Sequence, residues 1–192
     1  METPMELATL EDACASTERF VERLTPAQYG LATPCDEWDV RALLNHLLGT
    51  LSLGAALLGD TAPTVNMAPG ELPDRDLVGD DPTKAYGAGV EGLLVAAAGD
   101  ALGRGHETPL GEMPGAVLGG FTALDILVHG WDLAKATSQD PSLDPDLAQQ
   151  MLGFARQTIS DENRAPRIGP EITVGVDAPA TDRLVAYLGR MP

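Results

Sequence analysis

Residues Gly120–Thr137, GFTALDILVHGWDLAKAT, carry the clearest structural signal in the chain. Set on a helix at about 100° per residue, Leu124, Leu127, Val128 and Trp131 cover one side, and Ile126 and Leu133 cover the other. A helix that is apolar almost all round is a buried helix. Yet Asp125, His129 and Asp132 fall together in one narrow stripe. Asp125 and His129 are four residues apart, so their side chains point the same way. A carboxylate buried without a partner costs several kcal/mol, so something must offset it. A bound cation is one answer, because imidazole and carboxylate at this spacing can share a metal. A bare Asp–His⁺ ion pair is the other, and this helix alone does not choose between them.

A second long helix supplies a third group. Asp39 is a good N-cap, and Trp38 before it can staple onto Leu43. From there Leu43, Leu44, Leu47, Leu48, Leu51, Ala55 and Leu58 form a wide apolar stripe that ends near Gly59. His46 lies beside that stripe, in line with Ala42, Gly49, Leu53 and Leu57, and is at least partly buried. A lone histidine in such a place is more often a hydrogen-bonded core residue than a ligand. Two helices that each present buried ligand-type residues change that balance, since bundles build metal sites from facing helices.

The rest of the chain reads as helices joined by capped loops. The first helix runs from about Glu6 to Leu24, with Leu7, Leu10, Cys14, Phe20, Val21 and Leu24 on helical spacing. Thr25-Pro26-Ala27-Gln28 is a capping box that opens a short turn before the loop LATPCDEW. Residues 60–80, rich in Pro, Gly and Asp, predict a long surface loop, of the kind that is either functional or mobile. Asp81-Pro82 caps a third helix reaching about Ala101, and a polar glycine-rich loop holding His106 follows. His106 is expected to be exposed and idle, with a swinging fourth ligand as the alternative. The fourth helix spans Pro114 to about Thr137, and Asp144-Pro145 caps a fifth that reaches about Ile159. The tail turns extended around Ile172 to Val176 and ends in a short helix, Thr181 to Leu188, stopped by Gly189. No strand ladder and no internal repeat is evident. The expectation is an all-α single domain over 1–192, a four-helix bundle with additional short helices and an extended C-terminal tail.

Composition supports this and narrows the partners. Apolar residues make up 44% of the 192, with only two Trp, three Tyr and three Phe, so the interior is mostly Leu, Ala and Val. That suits close-packed helices. The formal net charge of −17 repels phosphate backbones and anionic headgroups, so neither nucleic acid nor a membrane surface is an expected partner. The apolar runs are broken short of about 18 residues, which predicts no membrane span. The N-terminal segment has no basic stretch before an apolar run, which predicts no signal peptide. These features point to a reducing cytoplasm with Cys14 and Cys35 as free thiols. The two form no CxxC pair and no ligand spacing with histidine. Cys35 stands among acidic neighbours, which predicts an inert thiol.

The runs TPCDEWDVRALLNHLLG (33–49), DILVHGWDLAKAT (125–137) and GPEITVGVDAPATDRLVAYLGR (169–190) resemble the actinobacterial branch of the DinB/YfiT-like metal-binding superfamily. That branch includes the N-terminal metal-binding domain of mycothiol-dependent maleylpyruvate isomerase. The resemblance implies a four-helix bundle holding one divalent metal through His46, Asp125 and His129, where family members often carry Glu in place of Asp125. It implies zinc first, with nickel and iron also tolerated by such a set. It also implies a small-molecule substrate or thiol, mycothiol or similar, and a homodimer. The isomerase relatives carry a further C-terminal domain, so isomerisation by this chain alone is not expected. Three protein ligands leave an open position, which suggests reaction rather than structure. On this reading Trp131 and Asp132 orient a ligand or close the pocket, and the reaction is thiol transfer or isomerisation on a small electrophile. The alternative is a metal- or small-ligand-binding bundle without catalysis.

Overall fold

The computed structural model describes residues 5–36, 38–68, 71–109, 111–164 and 168–192, the side chain of Asn163 excepted. Pro69 and Gly70 of the long loop, and Ala165, Pro166 and Arg167 at the head of the tail, lie outside the described residues. The chain divides into two compact units, Met1–Pro141 and Ser142–Pro192.

The first unit is a four-helix bundle. Its helices are α1 (Leu7–Val21), α2 (Val40–Leu58), α3 (Pro82–Ala97) and α4 (Gly115–Ala136). Helix α4 packs on α1 and α2, and α3 packs on α1 and α2. The caps stand where the sequence places them. Asp39 accepts from the Ala42 N–H at 2.8 Å, Asp81 accepts from Lys84 at 3.0 Å, and Thr25 with Gln28 closes a capping box. Each such cap stabilises its helix by roughly 1 kcal/mol. Leu43, Leu47, Leu51, Leu127, Ile126 and Leu133 are fully buried, so the core is aliphatic as the composition requires. Among the described residues, α2 is the one helix long and apolar enough to cross a bilayer, against the expectation from broken apolar runs. Its Leu43, Leu44, Leu47, Leu48, Leu51 and Leu58, however, are buried, and the helix packs on α3 and α4.

Two expectations are corrected here. A short antiparallel ladder exists, β1 (Gly105–Thr108) with β2 (Gly111–Pro114). Four residues per strand are too few to register as alternation, and Gly111 takes the turn at φ +101°. His106, on β1, is buried rather than exposed: its ring nitrogens lie 2.9 Å from the Asp60 carboxylate and 2.8 Å from the Ala101 carbonyl. It ties the hairpin to the C-terminal end of α2.

The long loop lies down on α2. Asn45 donates to the Arg75 carbonyl and accepts from the Leu77 N–H, while Val65 and Val78 are buried. Gly49 lets the loop come close, because the Met67 thioether occupies the space a Cβ would need.

In the second unit α5 (Pro145–Thr158), capped by Asp144, packs on α7 (Ala180–Tyr187), with the short α6 (Asp161–Arg164) between them in sequence. Gly189 ends α7 at φ +81°, as expected of a C-terminal glycine. The described residues 168–179 before α7 form no helix or strand, and the Ile172 N–H donates to the Ala186 carbonyl.

Gly130 on α4 offers a test of the bundle. A Cβ there would collide with the Thr17 hydroxyl of α1, which is buried and donates to the Ile126 carbonyl at 2.9 Å. Gly130→Leu is expected to destabilise by about 1–3 kcal/mol through overpacking. Gly153 on α5 meets nothing within 4 Å. Gly153→Ala should raise stability by up to about 1 kcal/mol. Urea unfolding midpoints separate the two; a Gly130→Leu midpoint equal to the parent's would refute the close α1–α4 packing.

Candidate metal centre

The polar stripe of α4 faces His46 of α2 at the centre of the bundle. His46 is fully buried, and its Nε2 lies 3.1 Å from Asp125 Oδ2. His129 Nε2 lies 3.5 Å from Asp125 Oδ1. The two rings meet edge to face with centroids 4.9 Å apart. One ligand atom from each of the three residues falls within 4.8 Å of the others. Around a zinc ion with bonds of about 2.0–2.3 Å, tetrahedral donors stand roughly 3.3–3.8 Å apart, so the set is spaced for one cation.

The groups behind the ligands fix which atoms face inward. His46 Nδ1 is 2.7 Å from the Glu71 carbonyl, which can only accept; Nδ1 therefore carries the hydrogen and Nε2 is the ligand atom. His129 Nδ1 is 2.9 Å from Asp132 Oδ2, leaving its Nε2 to face Asp125. Asp132 is wholly buried. Thr50, one turn after His46, donates to Asp125 Oδ2 at 2.7 Å. Two imidazole lone pairs and a carboxylate therefore converge with their far sides already held, an arrangement that calls for a proton or a metal at its centre.

Without a metal a proton does part of that work. Burial alone would raise the Asp125 carboxyl, but the imidazoles of His129 and His46 more than reverse this and hold it well below the usual range. Burial alone would lower His129. The Asp125 charge, and hydrogen bonds to Asp125, Asp132 and Cys35, outweigh that and raise it well above the ordinary imidazole value. The Asp125 side chain is 31% exposed, so the site opens to solvent on the carboxylate side.

The structure brings together all three ligands suggested by the sequence, and Asp132 with them. The aromatic partner differs. Trp131 is fully buried, with the Lys135 ammonium 5.2 Å from its ring, and the indole against the imidazoles is Trp38, 4.6 Å from His46 and 5.9 Å from His129. Arg41 points away, to Asp76 at 2.8 Å. Cys35, which has no ligand spacing with any histidine in sequence, has its sulfur 3.7 Å from His129 Nδ1 and 3.3 Å from Asp132 Oδ2. The loop that carries it folds back through the Ala32–Asp39 bridge. There the Thr33 hydroxyl accepts from the Cys35 N–H and donates to the Trp38 carbonyl.

Comparison with known proteins gives the family of the chain. The family model described as the mycothiol maleylpyruvate isomerase N-terminal domain matches residues 10–134. That span runs from α1 to α4 and contains Cys35, Trp38, His46, Asp125, His129 and Asp132. Two relatives come from Mycobacterium tuberculosis, the uncharacterized protein MT0763 (strain CDC 1551 / Oshkosh) and the uncharacterized protein Rv0738 (strain ATCC 25618 / H37Rv). Each is 36% identical over 167 residues, covering 85% of this chain and 85% of the relative. No solved structure matches the chain. With its bundle helices and its cluster of histidines and carboxylates inside the matched span, the chain belongs to the family of the mycothiol maleylpyruvate isomerase N-terminal domain.

Proposed function

We propose that this chain binds a divalent cation, zinc in the first instance, through His46, Asp125 and His129, and uses it to activate a low-molecular-weight thiol against a small electrophile. The observation that carries the proposal is the convergence of two Nε2 atoms and one carboxylate whose far sides are already hydrogen-bonded. The family's printed description names mycothiol, which makes mycothiol or a similar thiol the first candidate. When bound, the cation supplies Lewis acidity, which lowers the pKa of a ligating thiol so that it is nucleophilic at neutral pH.

The remaining work belongs to the protein. The Glu71 carbonyl and Asp132 hold the two rings in the orientation that presents Nε2. Thr50 fixes one oxygen of Asp125. Trp38 covers the rings and excludes water from that side. Asp125, the most exposed of the three, marks the side from which a thiol and its partner enter. The strongly negative chain attracts cations and disfavours anionic macromolecules.

The test is a thiol-conjugation assay with a generic small electrophile, run with zinc, with a chelator, and with His46→Ala. Enhancement that the chelator abolishes, and that falls at least about tenfold in the variant, is the expected result. A metal-loaded protein that accelerates no thiol across several tested would leave a metal-binding module and remove the catalytic step.

A further inference from the structure

His129 has a second polar side that the proposed function uses only to hold the ring. Its Nδ1, the Cys35 sulfur and Asp132 Oδ2 form a triangle with edges of 3.7, 3.3 and 2.9 Å. Each of the three offers one ligand atom, all within 4.8 Å of one another. The two edges to the sulfur fall within the spacing of roughly 3.3–3.8 Å expected around a tetrahedral zinc, and the His129–Asp132 edge, now a hydrogen bond, is shorter. Asp132 is wholly buried and Cys35 half-buried, so the triangle lies in the protein and not on a solvated face.

We propose that Cys35, Asp132 and Nδ1 of His129 form a second position for a soft divalent cation, and that the His129 ring bridges it to the first. The donor set sets the preference: a thiolate with an imidazole nitrogen suits zinc, cadmium and cobalt and is poor for magnesium or calcium. The charges balance. Two divalent cations face the Asp125 and Asp132 carboxylates, the Cys35 thiolate and a His129 imidazolate, which leaves the buried pair of sites neutral. Filling the second position displaces the Cys35 thiol proton and the Nδ1 hydrogen that His129 now shares with Asp132. Both protons leave to solvent, and no electron is transferred. The proposal goes beyond the first site: Cys35 lies 94 residues from His129 and takes no part in the His46–Asp125–His129 set.

Cobalt(II) titration decides it, because a cobalt–thiolate bond adds a near-ultraviolet charge-transfer band that nitrogen and oxygen ligands do not give. The full chain should bind about two equivalents and show the band. Cys35→Ser should lose the band and bind about one equivalent, while His46→Ala should keep the band and bind about one. The band surviving in His46→Ala would support the second position even if the first fails. Cys14 is fully buried, with its thiol pushed up to about 12 chiefly by burial, so it does not supply a competing thiolate. A saturated parent with no charge-transfer band, or Cys35→Ser that keeps both equivalents, would overturn the proposal and leave Cys35 as a thiol donating to Asp132.

Discussion

His129→Ala leaves the protein without a bound divalent cation. Of the residues at the centre, His129 alone faces both groups: Nε2 turns to Asp125 at 3.5 Å and Nδ1 to Asp132 at 2.9 Å. Removing the ring takes one ligand of three from the first position and one of three from the second. It also strips Asp125 of its larger compensating charge. At the first position the loss should exceed that of Asp132→Asn, which keeps every ligand there and removes the charge behind His129, although it also takes one ligand from the second position. Changes behind a ligand typically cost 10–100-fold in metal affinity, so Asp132→Asn should fall in that range and His129→Ala beyond about 100-fold. Elemental analysis of protein purified without an affinity tag, followed by zinc titration with a competing chelator, reads both. Parent-level zinc in His129→Ala would exclude the ligand set argued above. Circular dichroism checks that the variant stays folded, since Asp132 remains buried and keeps the Cys35 thiol as a donor.

What the sequence revealed follows from which contacts are local. Asp125, His129 and Asp132 lie within two turns of one helix, so their shared face is fixed by helical geometry alone. His46 could be placed on the buried side of α2 by the same reasoning, and Thr50 follows it by four residues. What lay outside reach was every group delivered by an irregular segment. The Glu71 carbonyl reaches His46 only because the loop of residues 60–80 folds back along α2, pinned by Asn45. Cys35 and Trp38 reach the imidazoles through a loop whose turn depends on Thr33. No periodicity encodes either path. His106 failed for a related reason: its burial depends on pairing with Asp60, 46 residues away, across a hairpin too short to announce itself. A signal was present in the pair of four-residue runs GHET and GEMP around a turn with glycine at position 111, but it is weak.

Metal affinity should rise with pH by about tenfold per unit until His129 is deprotonated. The raised His129 means that in the metal-free protein its ring holds a proton shared with Asp125, and a cation must expel that proton to reach Nε2. The lowered Asp125 means that its carboxylate is ready throughout the same range and contributes no slope. Stability of the metal-free protein runs differently at its two edges. The Asp125 contribution is present above the ordinary carboxylate value of about 3.9 and is lost as pH falls through its depressed value. The His129 contribution is complete below the ordinary imidazole value of about 6.5 and is lost as pH rises through its raised value. The metal-free protein is therefore most stable between these limits. Added zinc should widen the gap in melting temperature most on the alkaline side, where the proton no longer competes. Cys35→Ser isolates the first position, so that release of the thiol proton does not steepen the slope. Chelator competition at intervals between about pH 5.5 and 7.5 measures it across the imidazole range. An affinity flat over that interval would mean that His129 is already neutral beside Asp125, and the proton assigned to the centre of the site would have to lie elsewhere.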